Sequence, residues 1–204
     1  MKKAWLAIIL ALTSVSVAQA GGILEIRGGV GMAAADSDDF EDQTQAIGGQ
    51  SIDANDFETY NADIFINLPA LPIGFGVRHE WLNLNEGSGN NEVDLEATNL
   101  SLLVDLRIID SDNFYVGPIV GIGHPSAKVD FKSGAVSVDD HIDGDTVSYL
   151  GGLEAGVYLG HFLIGAEAGY QNIKFEDNDS SSGVNASIDA SGFYGKAMVG
   201  LTFF

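Results

Sequence analysis

Apolar side chains recur at every second residue over long stretches of this chain, a period that fits strands and not amphipathic helices. Tyr60, Ala62, Ile64, Ile66 and Leu68 alternate with Asn61, Asp63, Phe65 and Asn67. Leu100, Leu102, Val104, Leu106 and Ile108 do the same against Ser101, Asp105 and Arg107. Val147, Tyr149, Leu153, Ala155, Val157 and Leu159 oppose Ser148, Gly152, Glu154 and Gly156. Eight such segments can be read, near Ile23–Met32, Glu58–Leu68, Ile73–Leu84, Leu95–Ile109, Phe114–His124, Thr146–Leu159, Phe162–Phe175 and Ile188–Phe204. Their connections alternate in length. Pro69–Pro72, Asp110–Asn113 and Gly160-His161 are short; 33–57, 85–94, 125–145 and 176–187 are long and acidic. That alternation predicts an all-β antiparallel meander with tight turns at one end and long loops at the other.

A strand with one oily and one polar face serves a water-soluble barrel with the oily face inside, or a membrane barrel with it outside. The polar face decides between them. It carries small residues in alternation, among them Gly29, Gly31, Gly74, Gly76, Gly117, Gly121, Gly152, Gly156, Gly165 and Gly169. Glycines leave room in a narrow eight-stranded interior for a few long polar side chains. The oily face carries rings near segment ends (Tyr60, Trp81, Phe114, Tyr149, Phe162, Tyr170, Phe193 and Phe203), as the two interfaces of a bilayer require. Composition agrees: a formal charge of -20 coexists with 46% hydrophobic residues and a mean hydropathy of +0.14. Charge and apolar surface must therefore be separated in space. So negative a chain repels a phosphate backbone, so nucleic acid is not expected as a partner. The absence of cysteine excludes a disulfide framework and a thiolate metal site.

Residues 1–20 have the organisation of a secretory signal. Lys2 and Lys3 supply the positive start, Ala4–Leu12 an apolar run, and Ala18-Gln19-Ala20 a small-x-small cleavage pattern. The apolar run is too short for a helix that spans a bilayer, which needs about 20 residues. The expected mature chain is a single barrel domain, 21–204.

With an export signal, alternating turn and loop lengths and the aromatic end Gly200-Leu201-Thr202-Phe203-Phe204, the chain resembles the small eight-stranded outer-membrane β-barrel proteins of Gram-negative bacteria. The resemblance implies a closed up-and-down transmembrane barrel in the outer membrane, with short periplasmic turns and long acidic extracellular loops. It implies contact with outer-membrane lipid and lipopolysaccharide, and recognition of Phe203 and Phe204 by the barrel-assembly machinery. In this chain the alternation Phe193, Ala197, Val199, Leu201, Phe203 runs from the penultimate residue, one place away from the usual pattern. A monomer without cofactor is expected.

The phase of each strand assigns ten ionic residues to the interior: Glu25, Arg27, Asp63, Arg78, Glu80, Asp105, Arg107, Glu154, Glu167 and Lys196. Facing lipid, an Arg or Lys at the bilayer midplane would cost about 2–4 kcal/mol. Inside, six acids can pair with four bases, assisted by Asn61, Asn67, Tyr115, Tyr158, Tyr194 and Gln171. An eight-stranded barrel has room for little beyond its own side chains, so the expectation is a plugged interior, with a narrow pore as the alternative. A structural or surface-interaction role through the acidic loops follows.

Most remaining carboxylates lie in the long connections, with few bases beside them; the first loop has none between Asp36 and Glu58. Asp139, His141, Asp143 and Gly144 occupy positions one, three, five and six of a calcium-loop pattern, but position twelve is Leu150 where a bidentate Glu belongs. No dedicated metal site is expected, only loose divalent cations among the loop carboxylates. His124 and Ser126 form a His-x-Ser pair similar to that of lipid A deacylases. That resemblance would make Ser126 the nucleophile, His124 its base, and Asp139 or Asp140 the orienting acid. Ala127 stands where that family has Asn, and the chain is read as a non-enzyme with a lipid A-modifying esterase as the remote alternative.

Overall fold

The computed structural model describes residues 23–34, 56–68, 71–88, 91–111, 113–133, 136–143, 146–176 and 187–203. The signal-like residues 1–20, the carboxylates between Asp36 and Asp53, and Phe204 lie outside them. The described residues form twelve strands: β1 (Leu24–Ala34), β2 (Asp56–Asn67), β3 (Ile73–Ser88), β4 (Asn91–Leu106), β5 (Ile109–Asp110), β6 (Phe114–Ser133), β7 (Val136–Asp143), β8 (Ser148–Leu159), β9 (Phe162–Asn172), β10 (Lys174–Glu176), β11 (Ser187–Asp189) and β12 (Gly192–Phe203).

Eight of these are the staves of a closed antiparallel barrel, in the order β1-β2-β3-β4-β6-β8-β9-β12. β12 returns to pair with β1, Phe203 opposite Leu24 and Lys196 opposite Gly31, so the wall has no open seam. Closure removes the unpaired edges that an open sheet would offer to lipid or to other chains. The turn between β8 and β9 passes through Gly160 at φ 68°, in the left-handed region that glycine enters without a Cβ penalty.

Four strands are extensions. β5 lies on β6 at the short-turn end, Ile109 opposite Val116. At the loop end β7 adds to β6, Val136 opposite Ser133, and β10 pairs with β11. Two stretches read as long loops are thus largely strand. β3 and β4 continue in register to Ser88 and Asn91, and β6 runs to Ser133. Alternation fades in these stretches because a ladder in water needs main-chain hydrogen bonds but no oily face. The first residues of the calcium-loop pattern, Asp139–Asp143, are extended in β7 and not coiled around a centre.

The wall is inside-out relative to a soluble domain. Leu102 and Leu153 are each 63% exposed on the outside, whereas Arg27, Arg78 and Arg107 are 2%, 0% and 1% exposed within. Glycines make this lumen possible: a methyl at Gly156 would overlap the Tyr115 ring and approach Leu163 at 2.8 Å. The aromatic side chains form two belts, with Phe114, Phe162 and Phe203 towards the short-turn end and Tyr60, Trp81, Tyr149, Tyr170 and Phe193 towards the loop end, all exposed.

Candidate functional site

The lumen is filled by charge arranged in tiers. All ten ionic residues assigned by phase are buried there, from four or fewer per cent exposure down to none. At the short-turn end Glu25 is the hub. Its carboxylate accepts from Arg27 Nη2 at 2.6 Å, from Arg107 Nη1 and Nη2 at 2.9 Å each, from Asn67 Nδ2 at 2.8 Å and from the Tyr158 hydroxyl at 3.2 Å. Arg27 reaches onward to Glu154 at 3.0 Å, and Arg107 turns its Nε to Asp105 at 2.8 Å. Rings lie over these guanidiniums. Arg27 lies 4.2 Å from the Phe65 centroid and Arg107 lies 4.4 Å from that of Tyr115, where the π-faces offset part of the lost hydration.

In the middle tier Arg78 forms two bidentate forks. Nε and Nη2 bind the two Asp63 oxygens at 2.9 Å; Nη1 and Nη2 bind Glu167 at 2.9 and 2.6 Å. Asn61 adds a donor to Asp63 at 2.8 Å, and the Tyr194 hydroxyl one to Glu167 at 2.7 Å. Above it Lys196 Nζ donates to Glu80 Oε1 at 2.6 Å and lies 4.8 Å from the Tyr194 ring. These contacts join strands that are not neighbours: β1 to β8, β3 to β9, and β12 to β3. Charge-assisted bidentate pairs fix direction as well as distance, so the lumen is crossed by struts.

Two expected helpers behave differently. Among the described residues the Tyr115 hydroxyl and both side-chain polar atoms of Gln171 have no hydrogen-bond partner, and Tyr115 contributes its ring instead. The lumen also has a lid that the ionic pattern does not announce. Phe57, Leu82, Ala97, Ala127, Ile173 and Ala190 form part of one buried cluster at the loop end of the lumen. The signal was present, since Leu82 keeps the phase of Arg78 and Glu80, and Phe57 that of Asp63.

The His-x-Ser pair is on the outer wall. His124 is exposed and Ser126 half-buried on the outward face of β6, and Ser126 Oγ lies 2.8 Å from Thr98 Oγ1 of β4. Among the described residues no hydrogen bond joins Ser126 to His124. Asp140 of β7 pairs with Val129 of β6; the side chains of Asp139 and Asp140 lie outside the described residues. His161 sits in the β8–β9 turn with Nδ1 3.1 Å from the Thr202 carbonyl oxygen. His79 packs edge-on against Trp81 with centroids 4.3 Å apart. Among the described residues no group of three or more metal-ligating side chains gathers.

No family model matches the chain, and no curated protein does either. Its likeness is to solved structures. The attachment invasion locus protein Ail of Yersinia pestis superposes with a TM-score of 0.52 at 16% identity, covering 89% of this chain and 97% of that one. The outer membrane protein OprG of Pseudomonas aeruginosa gives 0.56 at 15% identity over 91% and 97%. Neisserial surface protein A gives 0.50 at 16% over 88% and 97%. At these identities the shared property is the fold, that of the small eight-stranded outer-membrane β-barrels.

Proposed function

We propose that this chain is an outer-membrane barrel of a Gram-negative bacterium, exported by its cleaved N-terminal segment, with a plugged lumen and an acidic loop end that makes its contacts. The observation that carries this reading is the set of struts across the lumen. Arg27, Arg78 and Lys196 each tie together strands on separate sides of the wall, and a path for ions would have to break several buried charge pairs at once. The role is therefore a rigid frame that reinforces the envelope and displays its loops. Partners at the loop end are cationic surfaces, or divalent cations shared with lipopolysaccharide phosphates, because the long connections carry most of the acidic residues with few basic ones beside them.

The test starts with the purified full chain. A folded barrel runs faster on gels before boiling than after it, fractionates with outer membranes, and in whole cells is open to trypsin only at Lys128, Lys132 and Lys174 at the loop end. Planar bilayers containing monodisperse protein should stay silent. Large steady single-channel currents would overturn the plugged lumen, and recovery in the soluble fraction would overturn the membrane reading altogether.

A further inference from the structure

The outward face of β3, β4 and β6 is indented. Between the side chains of Phe75, Leu102, Val104, Val120 and Ile122 lies a furrow of ≈ 430 Å³ that reaches down to the glycines Gly76 and Gly121. Its lining is apolar. Cross-strand register continues it towards the loop end into a polar strip: Leu100 of β4 lies between His79 of β3 and His124 of β6. The next outward row sets Trp81, Thr98 and Ser126 side by side.

This strip is unusual for its position. At the same end of the barrel, β8, β9 and β12 present Tyr149, Tyr170 and Phe193 to the outside. Among the described residues the imidazoles on the outward faces of the staves are those of His79 and His124. Adjacent strands are about 4.8 Å apart, so the Cα atoms of His79 and His124 lie about 10 Å apart on either side of Leu100. Each can donate a ring N–H to an anion. The Thr98 and Ser126 hydroxyls, 2.8 Å apart, add a second pair of polar groups within the strip. Arg27, Arg78, Arg107 and Lys196 are all turned inward and offer this face nothing; Lys128 lies one outward row further along β6, opposite Glu96.

We infer that this face holds one phosphorylated glycolipid of the outer leaflet, with an acyl chain in the furrow and the headgroup phosphate on His79 and His124. Two features select that occupant over a second copy of the chain. An oily trough that ends in hydrogen-bond donors matches a molecule that is apolar at one end and anionic at the other. A second acidic barrel would bring no group to the imidazoles that a bilayer does not supply better. The inference rests on the membrane reading above, and gives the lipid contact a place. It also accounts for the His-x-Ser pair as a binding element.

The experiment inserts the full chain into phosphatidylcholine nanodiscs doped with diphosphoryl lipid A or with dephosphorylated lipid A carrying the same acyl chains. Native mass spectrometry then reads the lipid retained on release. The wild type should keep one diphosphoryl molecule, preferred on the order of tenfold over the dephosphorylated form. The double variant His79→Ala with His124→Ala should lose that preference while still holding lipid. Val104→Trp, which fills the furrow from a lipid-facing position, should lower retention of both. Equal retention by all three proteins, or a lipid-free pair of chains, would overturn the site. Gel mobility before boiling is read for every sample, so a chain that fails to insert discredits the membrane reading, and a folded barrel without selectivity discredits only this site.

Discussion

Arg78 and Glu167 meet across the lumen from strands four places apart in the eight-stave circuit, through two hydrogen bonds of 2.9 and 2.6 Å. No greater separation is available in such a barrel, so this pair spans the lumen from wall to opposite wall. Asp63 occupies the other edge of the same guanidinium. Replacing Arg78 with Met would leave two buried carboxylates without their cation, and the loss of one partner from a buried pair costs about 3–5 kcal/mol. Glu167→Gln is milder, since Arg78 keeps Asp63 and the amide oxygen still accepts. Urea unfolding of the barrel in lipid vesicles should show that order, with the Arg78→Met midpoint lowest.

Glycine positions separate into two kinds. A methyl at Gly117 would run into the carbonyl oxygen of Leu106, a main-chain atom that cannot step aside. At Gly151 and Gly195 nothing lies within 4 Å of the added carbon. Gly117→Ala should cost at least the ~1–3 kcal/mol typical of overpacking and reduce the yield of the heat-modifiable form. Gly151→Ala and Gly195→Ala should refold like the wild type. Densitometry of unboiled samples gives the comparison directly.

What could be read from sequence follows the same division between faces. Phase alone places Arg27, Arg78, Arg107 and Lys196 inside, because a period of two leaves each side chain only two directions. Phase does not say that Arg78 takes Asp63 and Glu167 while Arg27 takes Glu25 and Glu154. Those choices depend on how far each strand is staggered against the next, which is set by closure of the whole wall. The β3–β4 and β6–β7 extensions were illegible for another reason. Beyond the apolar band a strand is held by its ladder, and residues such as Glu86, Glu92 and Asp94 can alternate with anything. The outer furrow was equally hidden, as it depends on how the side chains of three neighbouring staves, β3, β4 and β6, part above Gly76 and Gly121.

Asp110 gives a pH dependence. It lies at the short-turn end in β5, half-buried, and among the described residues neither carboxylate oxygen has a hydrogen-bond partner. Burial pushes its carboxyl above the ordinary aspartate value; Arg107 nearby opposes this, and Glu25 and Asp105 add to it. The folded barrel thus holds this proton more tightly than the unfolded chain. The associated stability is fully present below the unfolded pKa and is lost as pH rises through the folded one. Asp110→Asn should remove that loss, so the variant gains on the wild type between mildly acidic and neutral pH. Unfolding midpoints of both proteins across that range test the sign; a gap that shrinks with rising pH would contradict it.

The Glu80–Lys196 pair is the least compensated part of the lumen. Lys196 donates to Oε1 at 2.6 Å, but Oε2 is buried and has no partner among the described residues. Asp63, by contrast, receives donors at both oxygens. The two charges thus carry the full cost of dehydration with little beyond their mutual attraction to offset it, under an apolar lid that includes Leu82 and Phe57. Either single substitution, Glu80→Leu or Lys196→Met, strands one buried charge and should cost about 3–5 kcal/mol. Joining them removes both charges and extends the lid downward, and such replacements are often neutral or stabilising by about 1–4 kcal/mol. The double variant should therefore unfold at or above the wild-type urea midpoint, although each single variant falls well below it. A double variant as weak as the sum of its parts would mean that Glu80 and Lys196 are each stabilised by the surrounding lumen and not by one another.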